Sequence, residues 1–280
     1  MRIGVISDIH IDEQKDETVF EQIFSDCINE SRADVFLIAG DISEYYIRSL
    51  NFLKRLRKKI NCKLYFCPGN HDLWSKFEPE KTVDDIIDYM NSKDGDEGFV
   101  QNKAVPLCED TVLIAGCGWY DYTFSYQDIF TKQQLREKKY MGRQWKDGLY
   151  ARHGRSDEDV NRDWNAKLLS LIDFYSDYNV IFMTHMVNHP SFLVGADHEK
   201  YEMFRYFNGF MGSQSLYEIT KSKNVKFSIS GHVHYRKSFY NENGTYYMCR
   251  CLGYPGEFSA FGGKQDIKTQ ISNAIEIIVI

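Results

Sequence analysis

Met1-Arg2-Ile3-Gly4-Val5-Ile6-Ser7-Asp8-Ile9-His10 is the stretch on which the fold turns. An apolar run over residues 2–7 gives way at once to Asp8 and His10. A short apolar run bounded by polar residues reads as a buried strand. The same pattern returns four times. Residues 35–39 run into Gly40-Asp41, residues 63–67 into Pro68-Gly69-Asn70-His71-Asp72, residues 180–184 into His185, and residues 226–230 into Gly231-His232-Val233-His234. These five turns hold five of the chain's eight histidines, a concentration that demands a reason.

Helical spacing fills the gaps. Residues 17–31 place Val19, Phe20, Ile23, Phe24, Cys27 and Ile28 on one side, and residues 45–60 do the same with Ile47, Leu50, Leu53, Leu56 and Ile60. Residues 79–91, 157–176 and 213–221 also read as helices, and residues 111–116 as a further strand. The tail, residues 238–280, reads as β-rich, with Gly244 in a hairpin turn and residues 275–280 as a last strand. Strands alternating with helices and followed by more strands predict a mixed-sheet α/β protein. One domain over residues 1–280 is expected, with a polar, aromatic-rich, lid-like insertion at about 119–156. Open α/β sheets bind ligands outside the carboxyl ends of their strands, so the five turns should meet in one crevice.

Composition narrows the function classes. A 43% hydrophobic content is ample for a core in a chain of 280 residues. A net charge of -6 argues against a dedicated nucleic-acid binder, whose affinity depends on a basic face. The seven cysteines are irregularly spaced and contain no C-x-x-C pair, so they read as reduced thiols acting as small hydrophobes. With no signal-like segment at residues 1–10 and no apolar run of roughly 20 residues, a cytoplasmic protein with no membrane partner is expected.

The residue types in the turns match metal ligation. Imidazole suits zinc, iron and manganese, while carboxylate and amide oxygens suit harder cations. The set is large enough for two ions, and metals roughly 3.5–4 Å apart can clamp the attacking and leaving oxygens of a displacement at phosphorus. Gly40, Gly69 and Gly231 remove side chains where the backbone must come close. Each motif alone is an ordinary turn sequence. Five in order, each at a strand end, are not explained by solvated turns.

Taken together, Asp8-x-His10, Gly40-Asp41-x-x-Glu44, Gly69-Asn70-His71-Asp72, His185 and Gly231-His232-x-His234 resemble the signature of the calcineurin-like metallophosphoesterases. Gly118-Trp119-Tyr120-Asp121, Thr184-His185 with His189-Pro190, and Gly212-Ser213-Gln214-Ser215-Leu216 resemble a bacterial subgroup of those phosphoesterases. The resemblance implies a sandwich of two mixed β-sheets flanked by helices, in four layers. It implies that Asp8, His10 and His234 hold a first metal, that Asp41 bridges, and that Asn70, His185 and His232 complete a second site. The ions implied are manganese, iron or zinc, with magnesium possible. The reaction implied is hydrolysis of a small phosphorylated substrate by in-line attack of a hydroxide bridging the metals, on phosphodiesters first and phosphomonoesters second. His71 would protonate the leaving oxygen as general acid, oriented by Glu44 or by Asp72.

Two departures stand out. Thr184 replaces a glycine often found before the metal-binding histidine, a small change. Tyr45-Tyr46 follow Glu44 where protein serine/threonine phosphatases carry Arg-Gly, which disfavours that activity. The competing reading, a metal-free scaffold, conflicts with a full set of ligand positions. A nuclease fits poorly with the acidic balance. The sequence does not fix the oligomeric state.

Other residues invite a role. Lys132, Arg136, Lys138, Lys139, Arg143, Lys146, Arg152 and Arg155 form a basic stretch, against Glu137 and Asp147. It reads either as a solvated insertion or as a clamp for a polyanionic substrate, since guanidinium groups match phosphate oxygens. His153 within it is expected to face solvent. His189 and His198 lie near the fourth turn, and Trp74, Trp119 and Tyr120 could stack on a base or fill the core.

Overall fold

Val35-Phe36-Leu37-Ile38-Ala39 shows why the chain builds layers, because it is buried on both faces. In the computed structural model, which describes residues 1–95, 97–241 and 243–280, Val35, Leu37 and Ala39 point into one apolar cluster while Phe36 and Ile38 point into another. That is the period-two alternation of a strand covered on both sides.

The strands are β1 (Arg2–Ile6), β2 (Val35–Ala39), β3 (Lys63–Cys67), β4 (Lys103–Pro106), β5 (Thr111–Gly116), β6 (Lys139–Tyr140), β7 (Arg143–Gln144), β8 (Asn179–Thr184), β9 (Val225–Ser230), β10 (Arg236–Tyr240), β11 (Tyr246–Arg250) and β12 (Glu276–Val279). One sheet has the order β12-β1-β2-β3 and the other β10-β11-β9-β8-β5-β4, with β6 and β7 as a separate ribbon. Within the first sheet β1, β2 and β3 are parallel, and within the second β5, β8, β9 and β11 are parallel. The edge strands β12, β4 and β10 run antiparallel to their neighbours.

Ile3, Val5, Leu37, Leu113, Ile181, Met183, Ile229, Met248 and Ile278 form the inner layer between the two sheets. Helices cover the outer faces: α1 (Glu17–Ser31), α2 (Tyr46–Leu56), α3 (Val83–Asp94), α6 (Asp157–Phe174), α8 (Gln214–Thr220) and α10 (Ile267–Ala274), with short α4 (Lys132–Arg136), α5 (Asp147–Tyr150), α7 (Tyr201–Phe207) and α9 (Phe258–Phe261). Their starts are written in the sequence. The Asp16 carboxylate accepts the N–H groups of Thr18 and Val19, and Thr82 forms a reciprocal capping box with Asp85. The two-sheet sandwich expected from the sequence is therefore present.

Two element readings need correction. The tail expected to be β-rich also carries helices α9 and α10. Asp266 caps α10, whose Ile271 and Ala274 are buried, and only β12 follows it. The helix expected at 79–91 starts at Val83, because the Thr82 hydroxyl accepts the Asp85 N–H while Asp85 accepts the Thr82 N–H in return. Among the described residues, no helix is long and apolar enough to cross a membrane.

Candidate metal centre

All parallel strands point their carboxyl ends the same way, and the loops that leave them are laced together by backbone hydrogen bonds. Asp8 N–H donates to Gly40 O (2.9 Å), His10 N–H to Asp41 O (3.1 Å), Gly231 N–H to His185 O (2.9 Å) and Gly253 N–H to Asp8 O (3.0 Å). Far-apart turns thus share one framework.

The framework is bent to a purpose. Among the described residues, Asp8, His10, Asp41, His232 and His234 all have left-handed backbone, with φ of 52°, 40°, 55°, 72° and 51°. Non-glycine residues adopt this region in only a few per cent of cases, and clusters of such strain mark functional sites. Here it turns side chains two residues apart toward a common point. A Cβ on Gly69 would lie 2.0 Å from Asp41 Oδ1, and one on Gly40 would lie 2.6 Å from His185 Nδ1. Only glycine lets these loops close.

The side chains form linked donor groups. Asp8, His10 and His234 bring one ligand atom each to within 4.8 Å of one another, as do Asp41, His185 and His232, and also His10, Asp41 and His71. His10 Nε2 sits 3.1 Å from His234 Nε2, and His234 Nε2 sits 3.5 Å from Asp8 Oδ1. On the other side His185 Nε2 lies 3.0 Å from Asn70 Oδ1, 3.2 Å from His232 Nδ1 and 3.4 Å from Asp41 Oδ2. Asp41 Oδ2 also lies 3.9 Å from His10 Nε2, so it sits between the two groups.

The outer hydrogen bonds fix these rings. His185 Nδ1 lies 2.9 Å from Ala39 O and His234 Nδ1 lies 2.6 Å from Glu257 Oε2. Each Nδ1–H is thereby donated outward and each Nε2 faces the centre, the ring orientation of metal-bound histidines. Asp8 accepts the His232 N–H at 3.0 Å, and Asp41 Oδ1 accepts the His71 N–H at 2.9 Å. Among the described residues, the buried His232 Nε2 and His71 Nδ1 have no hydrogen-bond partner. Lone pairs crowded together in a buried pocket are what a cation relieves, so this donor set fits two metal ions.

The electrostatics divide the rings, because a proton on His185 Nε2 competes with an ion for that position. Burial opposes charge on both Asp41 and His185, yet their mutual attraction wins. Asp41 is held well below the usual carboxylate range and His185 is lifted to about 10. Burial drives His10 and His232 well below the ordinary imidazole value, which keeps them neutral and able to donate lone pairs.

His71 and Glu44 face the same pocket. The His71 ring stacks on Trp74 at 3.8 Å between centroids, with Nε2 3.8 Å from Asp41 Oδ2. Glu44 Oε1 lies 3.9 Å from His71 Nδ1, within electrostatic reach but beyond a hydrogen bond, while Lys76 binds the other oxygen of Glu44. Asp72 does not orient His71. Its carboxylate accepts the N–H groups of Ile42, Ser43 and Gly69 and the Ser49 hydroxyl, which makes it a brace beneath the ligand loops. Burial, then Asp41, raises it to about 6.

Several other candidates lie elsewhere. His189 is packed against Tyr217, Phe239 and Tyr247 and accepts the Ser191 N–H, away from the pocket. His198 is exposed on the surface. His153 does not face solvent: its ring sits against Trp119 and Trp164 with both nitrogens buried. Trp119 and Tyr120 are fully buried core residues. Three of the eight residues of the basic stretch pair with carboxylates among the described residues, Arg136 with Glu158, Lys138 with Asp157 and Arg155 with Asp163.

Sequence reasoning missed Tyr254 and Glu257. The Tyr254 ring lies 4.4 Å from that of His10 and 4.8 Å from that of His234. Both residues follow β11, which is parallel to β9, so the strand-end rule that found the other turns applied here too.

A sandwich with turns of metal-ligand residue types at its strand ends defines a metallophosphoesterase-type architecture. The chain belongs to the calcineurin-like phosphoesterase family, whose profile matches residues 1–236. Over 91 residues it is 33% identical to a probable cyclic nucleotide phosphodiesterase of Coxiella burnetii, a match that spans 29% of this chain and 37% of the length of that protein. Its fold is similar to that of the phosphopantetheinyl hydrolase of Mycobacterium tuberculosis, with a TM-score of 0.79 and 16% identity over 99% of this chain and 95% of that one. A dimetal phosphatase of Danio rerio is similar at a TM-score of 0.52 and 12% identity, over 89% of this chain and 86% of that one. The enzyme class expected from the turns holds at the level of the family.

Proposed function

We propose that this chain is a dinuclear metallohydrolase of phosphodiesters, acting on small phosphorylated molecules. One observation carries the reading: two donor groups from five separate turns meet at a shared carboxylate, Asp41, which lies 3.4 Å from His185 on one side and 3.9 Å from His10 on the other. Asp8, His10 and His234 would hold one ion and Asn70, His185 and His232 the other, with manganese, iron or zinc suited to so many imidazoles. When bound, the ions supply Lewis acidity at phosphorus and lower the pKa of water toward neutrality.

The protein groups supply the rest. Asp41 keeps its charge at all physiological pH values. His71, stacked on Trp74 and 14% exposed in its side chain, has an edge open to the pocket and gives a proton to the leaving oxygen. Glu44 stabilises the charged ring from 3.9 Å. Diester cleavage leads over monoester cleavage because the Coxiella relative is named for it.

The test measures metal content and turnover on bis-aryl and mono-aryl phosphates. Asp41→Asn should hold fewer than two ions per chain and lose at least about a hundredfold in rate. His71→Ala should keep both ions and lose about 10²–10⁴-fold, most for poor leaving groups. Near-parental turnover in Asp41→Asn overturns the reading.

A further inference from the structure

The insertion that reads as a lid sends one carboxylate into the floor of the metal centre. Asp147, the first residue of α5, is 1% exposed, and no cation pairs with it among the described residues. It is instead surrounded by three N–H donors. Oδ1 accepts Asn70 Nδ2–H at 2.8 Å and Trp74 Nε1–H at 2.7 Å, while Oδ2 accepts Trp145 Nε1–H at 2.8 Å. A buried carboxylate is tolerated only when its oxygens are well bonded, so this arrangement is specific.

Each donor continues into the machinery. Asn70 can present Oδ1 to the second metal site only if its Nδ2 faces away, and Asp147 takes that Nδ2; the freed Oδ1 then lies 3.0 Å from His185 Nε2. Trp74 is the plate on which His71 stacks. Trp145 sets its ring edge to face at 5.7 Å from His232, the other outer ligand of the same site. An amide's oxygen and nitrogen differ little in shape, and among the described residues Asp147 is the acceptor that holds Asn70 Nδ2 away from the site, leaving Oδ1 toward His185.

We propose that Asp147 is the positioning residue of the second metal site, setting the Asn70 amide and both tryptophan plates so that the insertion is a working part of the centre. This rests on the dinuclear reading above. Asparagine cannot replace it: its carbonyl can face Asn70 and Trp74 or Trp145, and its amino group then opposes whichever donor is left.

The experiment uses the full chain and its Asp147→Asn and Asp147→Glu variants. Mn²⁺ and Zn²⁺ titrations with elemental analysis give the affinity of each ion, and proton–nitrogen spectra of the metal-free chain report the Trp74 and Trp145 indole N–H groups. In Asp147→Asn the second ion should bind about 10–100-fold more weakly while the first is unchanged. Excess metal should restore much of kcat with KM little altered, and at least one indole resonance should shift without any metal. Asp147→Glu should fall between. Trp145→Phe carries the same readout if Asp147→Asn does not fold: a severalfold weaker second ion is expected, and parental affinity overturns the inference. A parent that binds two ions alongside an Asp147→Asn variant with the same two affinities overturns the role of Asp147 alone. A parent that binds no pair of ions overturns the dinuclear reading and this inference with it.

Discussion

Lys138→Met separates a structural lysine from a substrate clamp. Lys138 lies in the basic stretch, yet its Nζ is 2.9 Å from the Asp157 carboxylate, and the two side chains are only 11% and 12% exposed. Asp157 also accepts Trp119 Nε1–H at 2.8 Å and the Tyr122 hydroxyl. Burial works against its charge, but Lys138 and these donors hold it below the usual carboxylate range. Methionine keeps the stem and removes the ammonium, leaving a buried carboxylate without its cation. That costs about 3–5 kcal/mol. At about 2–4 °C per kcal/mol for a domain of this size, melting should fall by about 6–20 °C. In Lys138→Met/Asp157→Asn the stranded charge is gone, so part of the loss should return, and a double-mutant cycle measures the coupling. KM for a model diester should stay at the parental value in both variants when assayed well below melting. A melting point within about 2 °C of the parent, or a double variant no more stable than the single, refutes the buried-pair argument. A large rise in KM would instead restore the clamp.

Three further outcomes are expected. In Gly69→Ala the new Cβ must push against Asp41 Oδ1, 2.0 Å from its ideal place, so turnover should fall at least about a hundredfold with fewer than two ions retained; full metal content with parental turnover counts against the close-packed loops. Glu257→Gln removes the charge that fixes the His234 ring from 2.6 Å, so the ion held by Asp8, His10 and His234 should bind about tenfold more weakly in a metal titration, and an unchanged affinity would show that the contact is incidental. His189 is lowered to about 4 by burial and then by Lys237 and Lys221, so below pH 6.5 the unfolded chain takes up a proton that the folded ring refuses. Stability complete above about pH 6.5 is thus lost toward pH 4, by up to about 3 kcal/mol, and urea midpoints of His189→Phe should vary less over that window than the parent's.

The strand ends were legible because two local signals coincide there, an apolar run and a polar turn of ligating residues. Asp8, Asp41, Asn70, His185 and His232 each come within three residues of the end of such a run. The roof of the site was harder. Tyr254 and Glu257 follow β11 in the same way, but Gly253-Tyr254-Pro255-Gly256-Glu257 has the look of an ordinary turn. Helix α10 was hidden by the isoleucines after it, which pull the eye toward strand, although Asp266 and Thr269 form its N-terminal signal. Asp147 gave no local sign at all. Its partners Asn70 and Trp74 are 77 and 73 residues away, and only tertiary packing joins them. Asp72 misled for the opposite reason: it adjoins His71 in sequence but turns to the backbone of another loop.

The left-handed backbone at Asp8, His10, Asp41, His232 and His234 has a consequence for what inactivity does to the chain. Every one of these residues is an L-amino acid with a Cβ held where glycine would rest at ease. Replacing one of them by glycine would therefore remove a donor atom and relieve that backbone strain together. That relief is opposed by the backbone N–H groups of His232 and His71, which Asp8 and Asp41 accept, so the same carboxylates that sit on strained backbone also fasten the loops together.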